Sequence, residues 1–177
     1  MRQLSLRLCV LFVLLFTGAS ALMAQQLVPG DIAIIGVHTN SPNSFIVVAL
    51  KDVQPGQVIT FTDNAWISAS NNFQTAEGYL EWTLTSGLSA GATATFTYSS
   101  SWSVATGSLN PGGTFAFNNS GDQIIAFAGD WANRPTTGSD TKFLWAFSMC
   151  NFGYLPVSPN FSSDCPSVLA NYSTALN

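Results

Sequence analysis

Charged side chains are scarce in this sequence, since only 8% of its 177 residues are Asp, Glu, Lys or Arg. Five basic residues stand against nine acidic ones, and the formal net charge is −4 at pH 7. Such a chain cannot build the basic surface that a phosphate backbone requires, so nucleic acid is excluded as a partner. Ser, Thr, Asn and Gln must therefore solvate most of the surface.

Histidine and cysteine are also rare, with one and three copies. A hydrolytic triad needs a nucleophile, a base and an orienting group, but His38 is the single histidine and no G-x-S-x-G motif is present. His38, Cys150 and Cys165 share no ligand spacing typical of zinc. We therefore predict no catalytic residue and no enzyme, and interpret His38 as a polar residue near the end of a strand.

The first 24 residues have the pattern of an export signal. Two arginines precede an unbroken apolar run at residues 8–16, and small residues follow it. Cleavage after Ala21 or after Ala24 fits this pattern, and the run is too short to span a bilayer. We expect residues 25–177 to be secreted or displayed at the cell surface, with no membrane span. Without the two arginines, three basic residues stand against nine acidic ones, a net charge of −6.

Two cysteines remain after removal of the signal. Export would place Cys150 and Cys165 in an oxidising compartment, where a disulfide between them is the expected state and a reactive thiol is the alternative. The bridge would restrict the unfolded chain and stabilise the fold by roughly 3 kcal/mol.

Three Asn-x-Ser sequons are present, and they begin at Asn118, Asn160 and Asn171. A eukaryotic secretory pathway would treat them as N-glycosylation sites on the surface. In a Ser- and Asn-rich chain the motif also arises by chance.

Two segments form the centre of the predicted fold. In residues 59–62, Ile59 and Phe61 point to one side of an extended strand. In residues 77–84, Leu80 and Trp82 share one face in the same way. We expect these two amphipathic strands to lie in the middle of a sandwich.

Short segments separated by Gly, Pro and Asn complete the pattern, and none has the apolar spacing of a helix. The other predicted strands cover residues 32–37, 45–50, 92–98, 114–117, 123–128 and 141–147, with long loops at 68–75 and 99–110. The spacing predicts one all-β domain, an antiparallel two-sheet sandwich of immunoglobulin-like type, over residues 25–177. From about residue 130 we expect a more irregular part.

Several stretches also resemble known modules. The stretches are G-D-I-A-I-I-G-V (30–37), S-F-I-V-V-A-L-K-D-V (44–53), P-G-Q-V-I-T-F-T-D-N-A-W (55–66) and E-G-Y-L-E-W-T (77–83). They resemble secreted bacterial β-sandwich modules of unassigned activity. G-L-S-A-G-A (87–92) and N-N-S-G-D-Q-I-I-A-F (118–127) are similar to the last strands of the lamin-tail immunoglobulin-like domain. The resemblance implies a sandwich fold and a binding or surface role, without a known catalytic residue.

A glycoside hydrolase would need two carboxylates across a cleft. Glu77 and Glu81 are the nearest pair, but four residues along a strand separate them by roughly 13 Å, beyond the working distance. This activity is therefore the least favoured function.

Oxygen-bearing side chains at strand ends suggest a calcium site. Asp63 and Asn64 end one strand, Glu77 opens the next, and Asp52 lies in a neighbouring turn. Calcium prefers such oxygen ligands. The alternative is that Asp and Asn are present here as ordinary turn residues.

Two tryptophans in polar loops, Trp102 and Trp131, suggest carbohydrate binding, because flat aromatic rings can stack on sugars. The alternative is packing beneath a loop. The sequence as a whole predicts a secreted, non-catalytic interaction or surface module, with a carbohydrate-binding or calcium-dependent adhesion domain as the alternative. The expected partner is a glycan or another extracellular protein, and calcium is the one cofactor indicated.

Overall fold

The computed structural model describes residues 26–118, 122–149 and 164–175. The predicted export signal lies outside these residues. The strands in chain order are β1 Ile32–His38, β2 Ser44–Ala49, β3 Val58–Thr62, β4 Trp66–Ile67, β5 Asn72–Phe73, β6 Gly78–Thr83, β7 Thr93–Tyr98, β8 Trp102–Val104, β9 Ser108–Gly113, β10 Gln123–Ala128, β11 Phe143–Ser148 and β12 Ser173–Ala175. Two short 3-10 turns, Trp131–Asn133 and Ser167–Leu169, accompany them.

Two sheets organise these strands. The order is β1-β2-β7-β8 in the four-stranded sheet and β12-β11-β10-β3-β6-β9 in the six-stranded sheet, and β4 and β5 form a separate hairpin. Every pairing is antiparallel except that of β11 with β12. The predicted all-β class with antiparallel sheets is confirmed. Within the described residues, no helix has the length and apolar character needed to cross a membrane.

The main core lies between the two sheets. Phe45 and Phe96 of the four-stranded sheet meet Phe61 and Trp82 of the six-stranded sheet in one buried cluster. The predicted central pair is confirmed, because β3 pairs with β6 and places Phe61 beside Leu80. Phe61 and Leu80 both face the core because every second side chain of a strand points to the same side of the sheet.

A second core covers the outer face of the six-stranded sheet. Ile125 and Phe127 of β10 point into it, and Trp66 and Phe73 of the β4–β5 hairpin pack over them. Leu169, from the turn near the C-terminus, completes the cover. The region after residue 130, predicted to be irregular, therefore contributes β11, β12 and part of a core.

The predicted loop at residues 99–110 is wrong, because it contains β8 and the first half of β9. Residues 111–113, Pro-Gly-Gly, are typical of a turn but lie inside β9, where Pro111 is aligned with Leu80 of β6. Proline lacks an N–H and is tolerated on the edge of a sheet, which is where β9 lies. Residues 114–117, predicted as a strand, form no ladder; the backbone of Thr114 and Phe115 packs against Gly78 at the start of β6 instead.

Candidate functional site

An open groove of about 530 Å³ lies where β3 ends and β6 begins. Three carboxyl side chains line it, those of Asp63, Glu77 and Asp122, and Thr39 and Asn118 add polar groups. None of the described residues around the groove is Lys, Arg or His. The groove is therefore an acidic site at one end of the sandwich.

Asp63 holds three segments together at the base of this groove. Its side chain is 1% exposed. Its Oδ1 accepts a hydrogen bond from the Gly78 amide at 2.8 Å, and its Oδ2 accepts one from the Ala116 amide at 2.8 Å. The carboxyl group thus joins the end of β3 to the start of β6 and to the stretch after β9.

Asn64 reinforces the same junction. Its Oδ1 accepts a hydrogen bond from the Glu77 amide at 3.0 Å, and its Nδ2 donates to the Gly78 carbonyl at 2.9 Å. The hydroxyl of Thr62 donates to that same carbonyl at 2.7 Å. The Asp-Asn pair that predicted a turn therefore also binds the backbone of the neighbouring strand.

Asp122 binds backbone amides in the same way on the other wall of the groove. It is 7% exposed, its Oδ1 accepts from the Gln123 amide at 2.8 Å and its Oδ2 accepts from the Asn118 amide at 3.0 Å. The Gln123 side chain in turn donates to the Asp63 carbonyl. The two buried carboxyl groups therefore belong to one connected network.

Burial dominates the electrostatics of this network. It raises the pKa of Asp63 to about 8 and that of Asp122 to about 7, even though backbone N–H donors favour the charged form of each. The negative charge of Glu77 is a smaller contribution to both raised pKa values, and burial raises the pKa of Glu77 itself. All three groups consequently hold protons more tightly than an ordinary carboxyl group.

These shifts predict that the protein loses stability as pH rises. Between about pH 4 and pH 8 the folded state binds more protons than the unfolded state, because the pKa of Asp63 moves from 3.8 to about 8 on folding. The free energy of unfolding should therefore be highest at the acid end of this window and fall by several kcal/mol across it. Urea denaturation at a series of pH values measures this slope.

Asp63→Asn is the informative variant for that slope. It removes the titrating group, so the fall in stability with pH should become shallower, although loss of one acceptor makes the variant less stable in acid. Asp52→Asn is the matched control, because it removes an exposed carboxyl group outside the groove. A slope that Asp63→Asn leaves unchanged would contradict the assignment.

The structure brings together three of the four predicted calcium ligands. Asp63, Asn64 and Glu77 meet at the groove, but Asp52 lies at the opposite end of β3, where it accepts a hydrogen bond from the Ala90 amide at 2.8 Å. Asp63 and Asn64 direct their oxygens at backbone amides. In the part of the chain that the structure describes, no group of three or more His, Cys, Asp or Glu side chains is placed to hold a metal ion. In the observed arrangement Asp63 and Asn64 anchor backbone amides, and the calcium site remains a prediction.

Trp102 is half-buried and packs against the main core. Its indole N–H donates to the Phe115 carbonyl at 2.8 Å, and its ring contacts Phe45, Phe117 and Tyr98. The alternative interpretation, packing beneath a loop, describes this side chain better than a sugar platform.

Trp131 is half-buried on the outer face of the six-stranded sheet. Its ring stacks on Tyr79 with centroids 4.8 Å apart and planes 8° apart, and the Arg134 guanidinium lies 4.9 Å from its centroid. Its amide donates to Glu81 Oε1 at 2.9 Å. The ring is therefore already stacked by two partners of its own chain.

The remaining candidates for a catalytic role, Glu81 and His38, lie apart from each other and do not line the groove. Glu81 accepts hydrogen bonds from Asn110 and Trp131 on the sheet surface, apart from the groove that Glu77 lines. His38 is exposed and its Nδ1 contacts the Pro42 carbonyl. Neither arrangement pairs a base with a nucleophile.

The cysteine and sequon predictions stay open. Cys165 is a free, half-buried thiol, and Cys150 lies outside the described residues. Asn118 and Asn171 are exposed, whereas Asn160 lies outside the described residues. The disulfide and the glycosylation sites therefore remain predictions.

Asp122 is the site residue that sequence reasoning missed. Asp122 lies in the stretch 118–127 that carries part of the resemblance, but that stretch implies no binding or catalytic role for it. The one local signal is its position directly before the apolar strand β10, which places Asp122 close to the core but does not indicate the groove.

Comparisons with known proteins find no relative of this chain. No family model, no curated protein and no solved structure matches this chain. The groove must therefore be interpreted from its own residues.

Proposed function

We propose that this protein is a secreted, non-catalytic interaction module whose acidic groove binds a basic segment of another extracellular protein. Its framework is an immunoglobulin-like sandwich of the lamin-tail type, as the resemblance of residues 30–129 implies. The observation that carries the proposal is the groove itself, where three carboxyl groups meet no basic side chain among the described lining residues.

The chemistry of the groove favours a binding role over a catalytic one. Asp63 and Asp122 each accept hydrogen bonds from two backbone amides and form the walls of the groove, while Glu77 at the rim is exposed. A Lys or Arg side chain from a partner would bring a positive charge, favour the ionised form of these carboxyl groups and form charge-assisted hydrogen bonds in the groove. An acidic surface also speeds the approach of a basic partner.

A basic peptide is the direct test of this function. A decapeptide of alternating Lys and Ser, titrated calorimetrically into the protein at neutral pH, should bind and should lose affinity as salt is raised. Glu77→Gln keeps the shape of the rim but removes its charge, so binding should weaken about fivefold. Asp52→Asn removes one charge at the opposite end and should leave affinity unchanged.

A glycan array separates this proposal from carbohydrate binding. The observation that favours the alternative is the half-buried Tyr79–Trp131 pair, which has Glu81 and Asn110 as polar neighbours. Glycan binding that Trp131→Ala abolishes, together with no response to the basic peptide, would replace the proposed function. If Glu77→Gln and Asp52→Asn weakened peptide binding equally, net charge would explain the effect. The groove would then be rejected as the binding site.

A further inference from the structure

The outer face of the four-stranded sheet is apolar along its middle. Three side chains of β2 belong to the main core, so Ile46 and Val48, which alternate with them, point outward and are only half-buried. On the neighbouring β1, Ile35 is the unpaired residue of a bulge and is 55% exposed. Gly36, which pairs with Ile46, adds no side chain. We call Ile35, Ile46 and Val48 the aliphatic stripe.

A row of hydroxyl groups lies beside the aliphatic stripe. Ala94 and Phe96 of β7 belong to the main core, so Thr93 and Thr95 point outward, and both are exposed. Thr93 pairs with Val48, and Thr95 pairs with the next outward residue of β2. The outer face therefore combines aliphatic groups with uncharged polar ones.

This sheet carries no formal charge. None of its four strands contains an Asp, Glu, Lys or Arg residue. Carboxyl groups lie on the other surfaces: Asp63, Glu77 and Asp122 at the groove, Asp52 at the opposite end and Glu81 on the outside of the six-stranded sheet. The net charge of the chain is −4, so two copies repel each other in most orientations. The outer face of the four-stranded sheet can meet its own copy without bringing like charges together.

We propose that the outer face of the four-stranded sheet is a self-association surface, through which two copies of this protein form a weak, symmetric dimer. A two-fold axis above β2 places Ile46 and Val48 against the same residues of the second copy. Ile35 then lies against the threonine row of the second copy. An exposed aliphatic patch of this kind is typical of an interaction surface.

The size of the face sets the strength of the dimer. Four strands of about six residues cover roughly 19 by 20 Å, because strands lie about 4.8 Å apart and rise about 3.4 Å per residue. The dimer would thus bury about 800 Å² in total, less than the roughly 1,200 Å² of a stable complex. We therefore expect a dissociation constant on the order of 100 μM or higher.

Sedimentation equilibrium of the protein over about 10 to 500 μM tests the dimer. Monomer should dominate at the lowest concentration, and the dimer fraction should rise with concentration. Added salt should maintain or strengthen this association, because the contact is uncharged and salt screens the repulsion between acidic copies. Salt weakens the binding of a basic peptide in the groove. The dimer lies outside the groove and goes beyond the proposed function, so either can fail without the other.

A charge in the middle of the face should prevent the contact. Thr95→Lys should lower the association constant at least about tenfold, because dimer formation would bury an unpaired ammonium group. Thr136→Lys is the matched control, since it makes the same change at an exposed position outside this sheet. Both variants lower the net negative charge equally, so a general charge effect would strengthen association in both. Circular dichroism melting checks that both are folded.

Methyl NMR of the wild-type protein identifies the surface even if Thr95→Lys does not fold. The methyl signals of Ile46 and Val48 should shift with protein concentration, whereas those of Leu169, buried in the second core, should stay constant. A protein that remains monomeric at 500 μM would overturn the proposal. So would a folded Thr95→Lys variant that dimerises as the wild type does, or concentration-dependent shifts that leave Ile46 and Val48 unchanged.

Discussion

Replacing Phe45 with alanine is expected to lower the free energy of unfolding by about 3 to 5 kcal/mol. Phe45 is fully buried at the centre of the main core. Its ring stacks on Phe96 with centroids 4.4 Å apart and meets the edge of Phe61 at 5.1 Å. Removal of the ring would leave a cavity between the two sheets, because residues held by strand ladders cannot move together to fill it.

Urea denaturation followed by tryptophan fluorescence measures this loss. Leu50→Ala is the control, since Leu50 follows the same strand but is 54% exposed, and its truncation should change stability by less than about 0.5 kcal/mol. Similar losses in the two variants would mean that the sheets do not pack through Phe45.

Replacing Gly78 with alanine is expected to cost about 3 kcal/mol or more and to disrupt the groove. A Cβ atom there would lie 2.2 Å from the Phe115 amide nitrogen and 2.5 Å from the Thr114 carbonyl carbon. Both are backbone atoms, so no side-chain rotation relieves the contact. The amide and carbonyl of Gly78 also bind Asp63 and Asn64, and any shift of this residue would break those bonds.

Gly36→Ala is the matched control for this substitution. A Cβ atom at Gly36 would meet Ile46 Cδ1 at 3.8 Å, an ordinary contact. Its cost should stay below about 1 kcal/mol, as measured by thermal and urea denaturation. If both alanine variants were equally stable, the close crossing of residues 114–115 over β6 would be refuted.

Alternation and turn residues were sufficient to predict most strands. The strand Val58–Thr62 was predicted as residues 59–62, and its partner Gly78–Thr83 within residues 77–84, because apolar and polar residues alternate along each segment of the sequence. The same reasoning failed for Ser108–Gly113. Its Pro-Gly-Gly sequence is typical of a turn, and its place at a sheet edge depends on β6, which is distant in the sequence.

The candidate site was predictable only in part. Asp63, Asn64 and Glu77 were singled out because they end one strand and open the next, and antiparallel pairing does bring them together. Asp52 was grouped with them because it is near in sequence, but β3 carries the chain to the other end of the sandwich. Asp122 reaches the groove through the pairing of β10 with β3, which no local pattern indicates.

The sequence by itself determined the all-β class, the central strand pair and the acidic, weakly charged surface, because alternation, turn chemistry and composition act locally. The tertiary structure alone decided which apolar strand is covered on both sides. β2 and β10 are both almost wholly apolar, yet Ile46 and Val48 stay half-exposed whereas Ile124 and Ile125 are both buried. Burial depends on what packs against a strand, and the second layer over β10 comes from residues far along the chain.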